Sequence, residues 1–302
     1  MSIKARQYRA QSFGLLWQSD IEIEHFASAT FSDERADIVV CETKALTARV
    51  ALERINRGLV YADGFRFEWN DVVTFDVFDG NRIGYLPGPN WSGVLPWPFY
   101  STITALLLAW RGSIPYHGCA VSIEGKGVLI CGASGAGKSS LTAALIAEGA
   151  QFISDDLSVV VPDNNGKGWS LVLGRPGIRL FPSVGRWFFG DAIAPLPNDP
   201  RDKVIATPFS YANDSLIPLR QIIFLGGPLK PLSAIDRFML LRKNLFRPNW
   251  LSKLPGIAAI RVAVRDISAS ANVSVEPVIG ETDELALRAR AAAIIDQVRA
   301  AG

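Results

Sequence analysis

The stretch Gly132-Ala-Ser-Gly-Ala-Gly-Lys-Ser139 fills the pattern G-x-x-x-x-G-K-S/T without a mismatch, and its flanks restrict what the surrounding chain can be. Before it, Gly127-Val-Leu-Ile-Cys131 is short, apolar and rich in β-formers, which predicts a buried strand. After it, Ser139 to Glu148 sets Leu141, Leu145 and Ile146 on one face among good helix formers, and Gly149 supplies a stop. A strand, a glycine loop and a helix in that order make a phosphate cradle.

The chemistry follows from the residue types. Glycine lets backbone N–H groups approach a polyphosphate that a Cβ would hold off, and the open helix N-terminus adds unpaired N–H groups and the positive end of a dipole. Gly132, Ser134, Gly135, Ala136, Gly137 and Ser140 therefore line a nucleoside triphosphate site. Lys138 reaches the β- and γ-phosphates, and the Ser139 hydroxyl supplies one oxygen to Mg²⁺.

With 302 residues the chain has room for one large or two modest domains. Its longest apolar run, Tyr100 to Trp110, falls short of the ~18–20 residues of a membrane span and fits a core helix. Met1 to Gln11 is polar and basic, so no secretory signal is expected and the chain is placed in the cytoplasm. Cys41, Cys119 and Cys131 lack C-x-x-C spacing, which points to buried thiols in a reducing compartment rather than to zinc. From Lys230 to Arg265 eight Lys/Arg face one acid, Asp236, a surface for water or an acidic partner; with no nucleic-acid motif beside it, nucleic acid is the weakest reading.

Residues 1–95 read as a smaller β-rich domain. Tyr61–Trp69, Val72–Phe78 and Arg82–Leu86 are strands joined by Asp-Gly and Asp-Gly-Asn turns, and Ala45–Ile55 is its one expected helix. The Pro-, Gly- and Trp-rich segment Leu86–Pro98 holds the boundary, and residues 96–302 form the second domain. There, Ser101–Trp110 is a helix, Ile114–Ile123 a strand, and Glu124–Gly127 a hairpin turn into the loop-bearing strand. Further on, Leu219–Leu225 is a strand, Ser233–Phe246 a helix with Ile235, Met239, Leu240 and Leu241 in the core, Ile260–Val264 a last strand, and Thr282–Ala301 a C-terminal helix.

After the loop helix, Ala150–Ser154 is a strand ending on Asp155-Asp156. A right-handed crossover brings that strand back parallel to the first, so both acids reach the loop's edge of the sheet. One carboxylate can hold Mg²⁺ and the other can accept a proton from an attacking hydroxyl, a role worth ~10²–10⁴-fold in rate. If the hairpin at 124–127 forms, His117 enters its strand at the same edge and is a site candidate.

The run Tyr116-His-Gly-Cys-Ala-Val, Gly127 to Ser139 and Ile153-Ser-Asp-Asp156 resembles, in order and spacing, the catalytic domain of HPr kinase/phosphorylase over residues 116–161. Weaker likenesses extend along the chain. Phe13–Ser19, Gly174–Pro182 and Arg201–Val204 are similar to segments of HPr-kinase-related proteins, including those of lasso-peptide clusters that phosphorylate a precursor peptide on serine. The resemblance implies an α/β fold, a P-loop kinase domain of the HPr kinase/PEP carboxykinase type. It implies ATP as donor, Mg²⁺ as metal, a serine of a peptide or small protein as acceptor, such as a precursor peptide, and a homo-oligomer. By it Asp155 is the general base, Asp156 joins Ser139 at the metal, Lys138 keeps its loop role and His117 lies by the transferred phosphate. Arg175, Arg179 and Lys203 would steady charge on the transferred group. Ser140 stands where HPr kinase carries an acid, and an Arg-Gly-Leu-Gly-like signature is blurred to Gly174-Arg-Pro-Gly177, which separates this chain from HPr kinase itself.

Two other readings use the same residues. One is a kinase of a small hydroxylated metabolite; the other is a nucleotide-dependent switch that binds without transfer, against which the paired acids stand.

Overall fold

The computed structural model describes residues 7–30, 34–196, 201–208, 210–227, 231–280 and 282–300. Lys230, where the basic stretch begins, and Pro228 lie outside the described residues.

The strands of the N-terminal part are β1 (Tyr8–Ser12), β2 (Leu15–Ser19), β3 (Ala27–Ser28), β4 (Ile38–Glu42), β5 (Glu53–Ile55), β6 (Gly58–Tyr61), β7 (Gly64–Trp69), β8 (Val73–Phe78) and β9 (Arg82–Pro87). A wide helical turn, Phe99–Ile103, runs into α1 (Thr104–Trp110). There follow β10 (Ile114–Tyr116), β11 (Gly118–Ile123), β12 (Lys126–Gly132), α2 (Lys138–Ala147), β13 (Gln151–Ser154), β14 (Ser158–Pro162), β15 (Trp169–Val172), β16 (Ile178–Leu180), α3 (Pro182–Phe189), β17 (Ile193–Pro195) and β18 (Val204–Ala206). The chain continues through β19 (Leu216–Leu225), α4 (Ala234–Lys243), α5 (Pro248–Leu251), α6 (Ile257–Ser270), β20 (Asn272–Glu276) and α7 (Glu284–Ala300). The fold is mixed α/β.

The chain divides into two compact units, Met1–Ser113 with Arg247–Ile260, and Ile114–Phe246 with Arg261–Gly302. Helix α1, which the sequence reading gives to the second domain, is counted with the first unit, and the division passes through α6.

The first unit is built on one nine-stranded sheet in the order β3-β1-β2-β4-β9-β8-β7-β6-β5. Its β6–β9 meander is the one read from the turns, antiparallel throughout. The expected helix at Ala45–Ile55 is absent. Glu53–Ile55 adds instead as an edge strand on β6, while Val50 and Leu52 are 87% and 61% exposed, so a helix here would have no buried stripe to hold it. Arg49 is drawn to Asp63 and to the buried Asp76.

The second unit holds an eight-stranded sheet in the order β10-β14-β15-β19-β12-β11-β13, with β20 parallel to β19. The β11–β12 hairpin forms as its sequence requires, with Gly118 opposite Cys131 and Ile123 opposite Lys126. Strand β13 returns parallel to β12, but with β11 between them, because it pairs antiparallel with β11. Helix α2 covers this part of the sheet, burying Leu141, Ala144 and Leu145 against Val121, Ile130 and Phe152. Full burial of each large apolar side chain contributes about 1.5–3 kcal/mol.

Two further expectations fail. Ile260–Val264 is not a strand; Ile260, Ala263, Val264 and Ile267 are buried at helical spacing in α6, with Val262 half exposed. In α4 Leu241 is buried, but Ile235 and Met239 are 69% and 50% exposed rather than in the core.

Candidate active site

The second unit's sheet brings the expected residues to one rim. Strand β12 ends at Gly132 and the chain turns through Ala133, Ser134 and Gly135, all exposed, into α2 at Lys138. The helix starts from Gly137 in the left-handed region, φ 92°, and a Cβ there would lie 2.4 Å from the Cβ of Ile279. Only glycine fits. The Ile279 N–H donates to Ala136 O at 3.0 Å, so the loop is braced from behind. Gly135, φ 86°, has no atom within 4 Å of where a Cβ would stand, so its outer side is open.

Lys138 is buried, and its ammonium donates to the carbonyls of Gly132 and Ala133 at 2.8 and 3.0 Å. The same Nζ lies 3.4 Å from Nε2 of His117. An ammonium has only protons to give, so Nε2 accepts, and Nδ1 carries the proton that it donates to Asp156 O at 3.2 Å. Burial, with the Lys138 charge, holds His117 below its ordinary pKa despite the pull of Asp156. The 3.5 Å approach of Nδ1 to Asp156 Oδ1 is therefore a contact of a neutral imidazole, not an ion pair.

The two acids differ. Asp155 is 1% exposed. Its Oδ1 accepts from the Ser139 hydroxyl at 2.8 Å and from the Cys119 thiol at 3.0 Å, and its Oδ2 from the Arg179 N–H at 2.8 Å. Burial alone would push the Asp155 carboxyl up; the Arg175 charge, the Arg179 N–H, the Cys119 thiol and the Lys203 charge outweigh it and hold it below its usual pKa. Asp156 is partly exposed, with the strained left-handed φ of 69°, and lies between His117 and the Arg179 guanidinium, 4.0 Å away.

The three later cations gather here too. Arg175 is 1% exposed and Arg179 8%, both in the field of the acids, and Lys203 donates to Arg179 O at 3.4 Å. Burial lowers the pKa of both Arg175 and Lys203. Ser140 follows on the first turn of α2.

Four cationic side chains, Lys138, Arg175, Arg179 and Lys203, thus meet two carboxylates around a neutral imidazole. The surplus of positive charge fits a polyanion, and the open side of Gly135 leaves it room. The hard oxygens of Ser139 and the acids suit Mg²⁺. Among the described residues no three or more His, Cys, Asp or Glu side chains form a metal cage.

Residues 110–170 match the family model of the HPr Serine kinase C-terminal domain, a segment that spans the hairpin, the glycine loop and both acids. Over that segment the chain is HPr-kinase-like. Among solved structures it is similar to the Hpr(Ser) kinase/phosphatase from Coxiella burnetii, at 22% identity over 40% of this chain and 71% of that one, with a TM-score of 0.27. No curated protein matches the chain.

Three participants were missed in the sequence. Cys119, read only as a buried thiol, touches Asp155 and lies 3.8 Å from the Ser139 hydroxyl. The signal was available, since Cys119 stands two residues from His117 in the same quoted run. Arg201 reaches the Ser134 hydroxyl at 3.4 Å, and Ile279 braces the loop; no local pattern announces either.

Proposed function

We propose that the chain is an ATP-dependent kinase that transfers the γ-phosphate to a serine hydroxyl of a peptide or small protein. The observation that carries this reading is the meeting of Lys138, Ser139, His117 and the acid pair at one cation-rich rim. Lys138 and the loop N–H groups hold the phosphates. Bound Mg²⁺, held by the Ser139 hydroxyl and the Asp155 carboxylate, would neutralise phosphate charge. Arg175, Arg179 and Lys203 stabilise the charge that spreads over the transferred group.

The roles of the acids exchange relative to the family-based expectation. Every oxygen of Asp155 is already engaged and its basicity is depressed, which makes it a weak proton acceptor and a good anchor. Asp156 is the accessible carboxylate. It accepts the serine proton as the serine oxygen bonds to the γ-phosphorus and the bond from that phosphorus to the bridging oxygen breaks, releasing ADP. Neutral His117, donating to the Asp156 carbonyl, holds that strained residue in place.

The test is transfer of label from γ-labelled ATP with Mg²⁺ to a panel of serine peptides. Labelled serine is expected with the wild-type chain and its loss with Lys138→Ala. Undiminished labelling by that variant, or slow phosphate release with no labelled acceptor anywhere in the panel, overturns the reading.

A further inference from the structure

Helix α4 leaves two large apolar side chains turned to solvent. Of its ten residues only Leu241 is buried, whereas Ile235 and Met239 are 69% and 50% exposed. With half-buried Phe238 and exposed Arg242 they recur at i, i+3, i+4 and i+7, a continuous stripe along one face. The helix does not need that stripe to form, because a capping box secures its start. Ser233 accepts from the Asp236 N–H, and the Asp236 carboxylate accepts from the Ser233 N–H.

The charge beside the stripe has one sign. Arg242 and Lys243 are exposed, and the helix's one acid, Asp236, is committed to the cap. The far end of α4 is tied to the candidate active site. Asn244 O accepts the His117 N–H at 2.9 Å, the Phe246 N–H donates to Pro115 O at 2.9 Å, and the Phe246 ring lies 5.8 Å from the His117 imidazole.

We infer that this face of α4 docks an acidic, apolar segment of the acceptor and so presents its serine to the site beside His117. The inference rests on the kinase reading and deepens it by naming the acceptor's chemistry. Met239 stands five residues before Asn244, about 7.5 Å of helix. Extended chain covers about 3.3 Å per residue, so the docking segment lies on the order of three to six residues from the serine.

The experiment uses the full chain without nucleotide and three fluorescein-labelled synthetic serine peptides. One carries Leu/Ile at helical spacing among Glu and Asp; the second is its scramble, and the third replaces each acid by Lys. Fluorescence anisotropy should show the acidic amphipathic peptide binding at least tenfold more tightly than either control. Ile235→Glu with Met239→Glu should weaken it at least tenfold while the thermal midpoint stays put. Arg242→Glu with Lys243→Glu should turn the preference toward the Lys peptide. Equal binding of the three peptides, or indifference to both double variants, overturns the inference. So does a concentration-dependent dimer in sedimentation that Ile235→Glu abolishes, since the face then belongs to a second copy. Because binding is read without nucleotide, a chain that binds the acidic peptide but labels no serine refutes the kinase reading alone. One that labels serine without the preference refutes the docking alone.

Discussion

Among the described residues each unit buries one aspartate almost completely, and the two are satisfied in opposite ways. Asp76 in the first unit, 2% exposed, is gripped by two guanidinium groups, from Arg49 and, at 2.8 Å, from Arg66. Arg49 also lies over the rings of Tyr61 and Phe78 at 3.9 and 4.1 Å. Charge is cancelled at contact and aromatic faces close the cluster, so nothing remains to bind. Asp155 in the second unit is just as buried, yet its contacts are a hydroxyl, a thiol and a backbone N–H. Arg175 and Lys203 add compensating positive charge around it. An acid held in part by neutral donors inside a cationic shell leaves charge of that shell available to a ligand. Burial of a carboxylate therefore says little about function; the chemistry of its direct partners says more.

If that contrast is right, its largest consequence is kinetic. Asp156→Asn should lower transfer to serine by about 10²–10⁴-fold, the usual worth of a positioned base, with ATP affinity retained. Asp155→Asn should instead raise the Mg²⁺ concentration needed for half-maximal rate. A Mg²⁺ requirement that moves with Asp156, and a bare rate loss with Asp155, would restore the assignment that the family resemblance implies.

Asp76→Asn should act on stability alone. Removing the charge takes the ion pair from the largely buried Arg66 guanidinium and leaves Arg49 with only the more exposed Asp63, which costs about 3–5 kcal/mol. A chain of two units need not unfold in one step, so the readout is hydrogen exchange of the β7 and β8 amides. Slowed phosphotransfer with unchanged exchange in those strands would erase the distinction between the closed cluster and the open site.

The pattern of what was legible follows the range of the forces involved. The loop, its flanking strand and helix, the hairpin and the double acid are set by local geometry and by the handedness of a crossover, and these could be read in order. What resisted reading was non-local. The helix formers of Ala45–Ile55 lose to an edge strand and to an arginine captured by Asp76, whose partner lies 27 residues away. The β-branched residues of Ile260–Val264 imitate a strand until the buried positions are seen to fall at helical spacing. Arg175, Arg179 and Lys203 were named only by resemblance, because no local rule tells which arginine folds back onto an acid 20 residues upstream.

A smaller effect is expected at Cys119. Cys119→Ala removes one weak thiol donor from a charged acceptor, worth about 0.5–1.5 kcal/mol, while the Ser139 and Arg179 donors remain. Cys119→Ser should recover most of the loss, since a hydroxyl also donates. The thiol itself should stay unreactive toward disulfide reagents at neutral pH, because burial and the neighbouring Asp155 charge push its pKa well up. Fast modification of the native chain at Cys119 would mean that the acid is not held as described.

The smallest effect is one of pH, in the second unit. The pKa of His117 in the folded chain is lowered by burial and by Lys138. As pH falls below ~6.5 the unfolded imidazole takes up a proton before the folded one does, so the unfolded state binds more protons. Stability of the second unit should therefore drop on acidification through that window, by at most about 1.4 kcal/mol per pH unit, and level off below the folded pKa. Hydrogen exchange of the β11 and β12 amides between pH 7.5 and 5, without nucleotide or metal, measures the slope, and His117→Asn should flatten it. A gain in stability on acidification would mean that His117 is protonated and paired with Asp156; the imidazole could then no longer accept from Lys138.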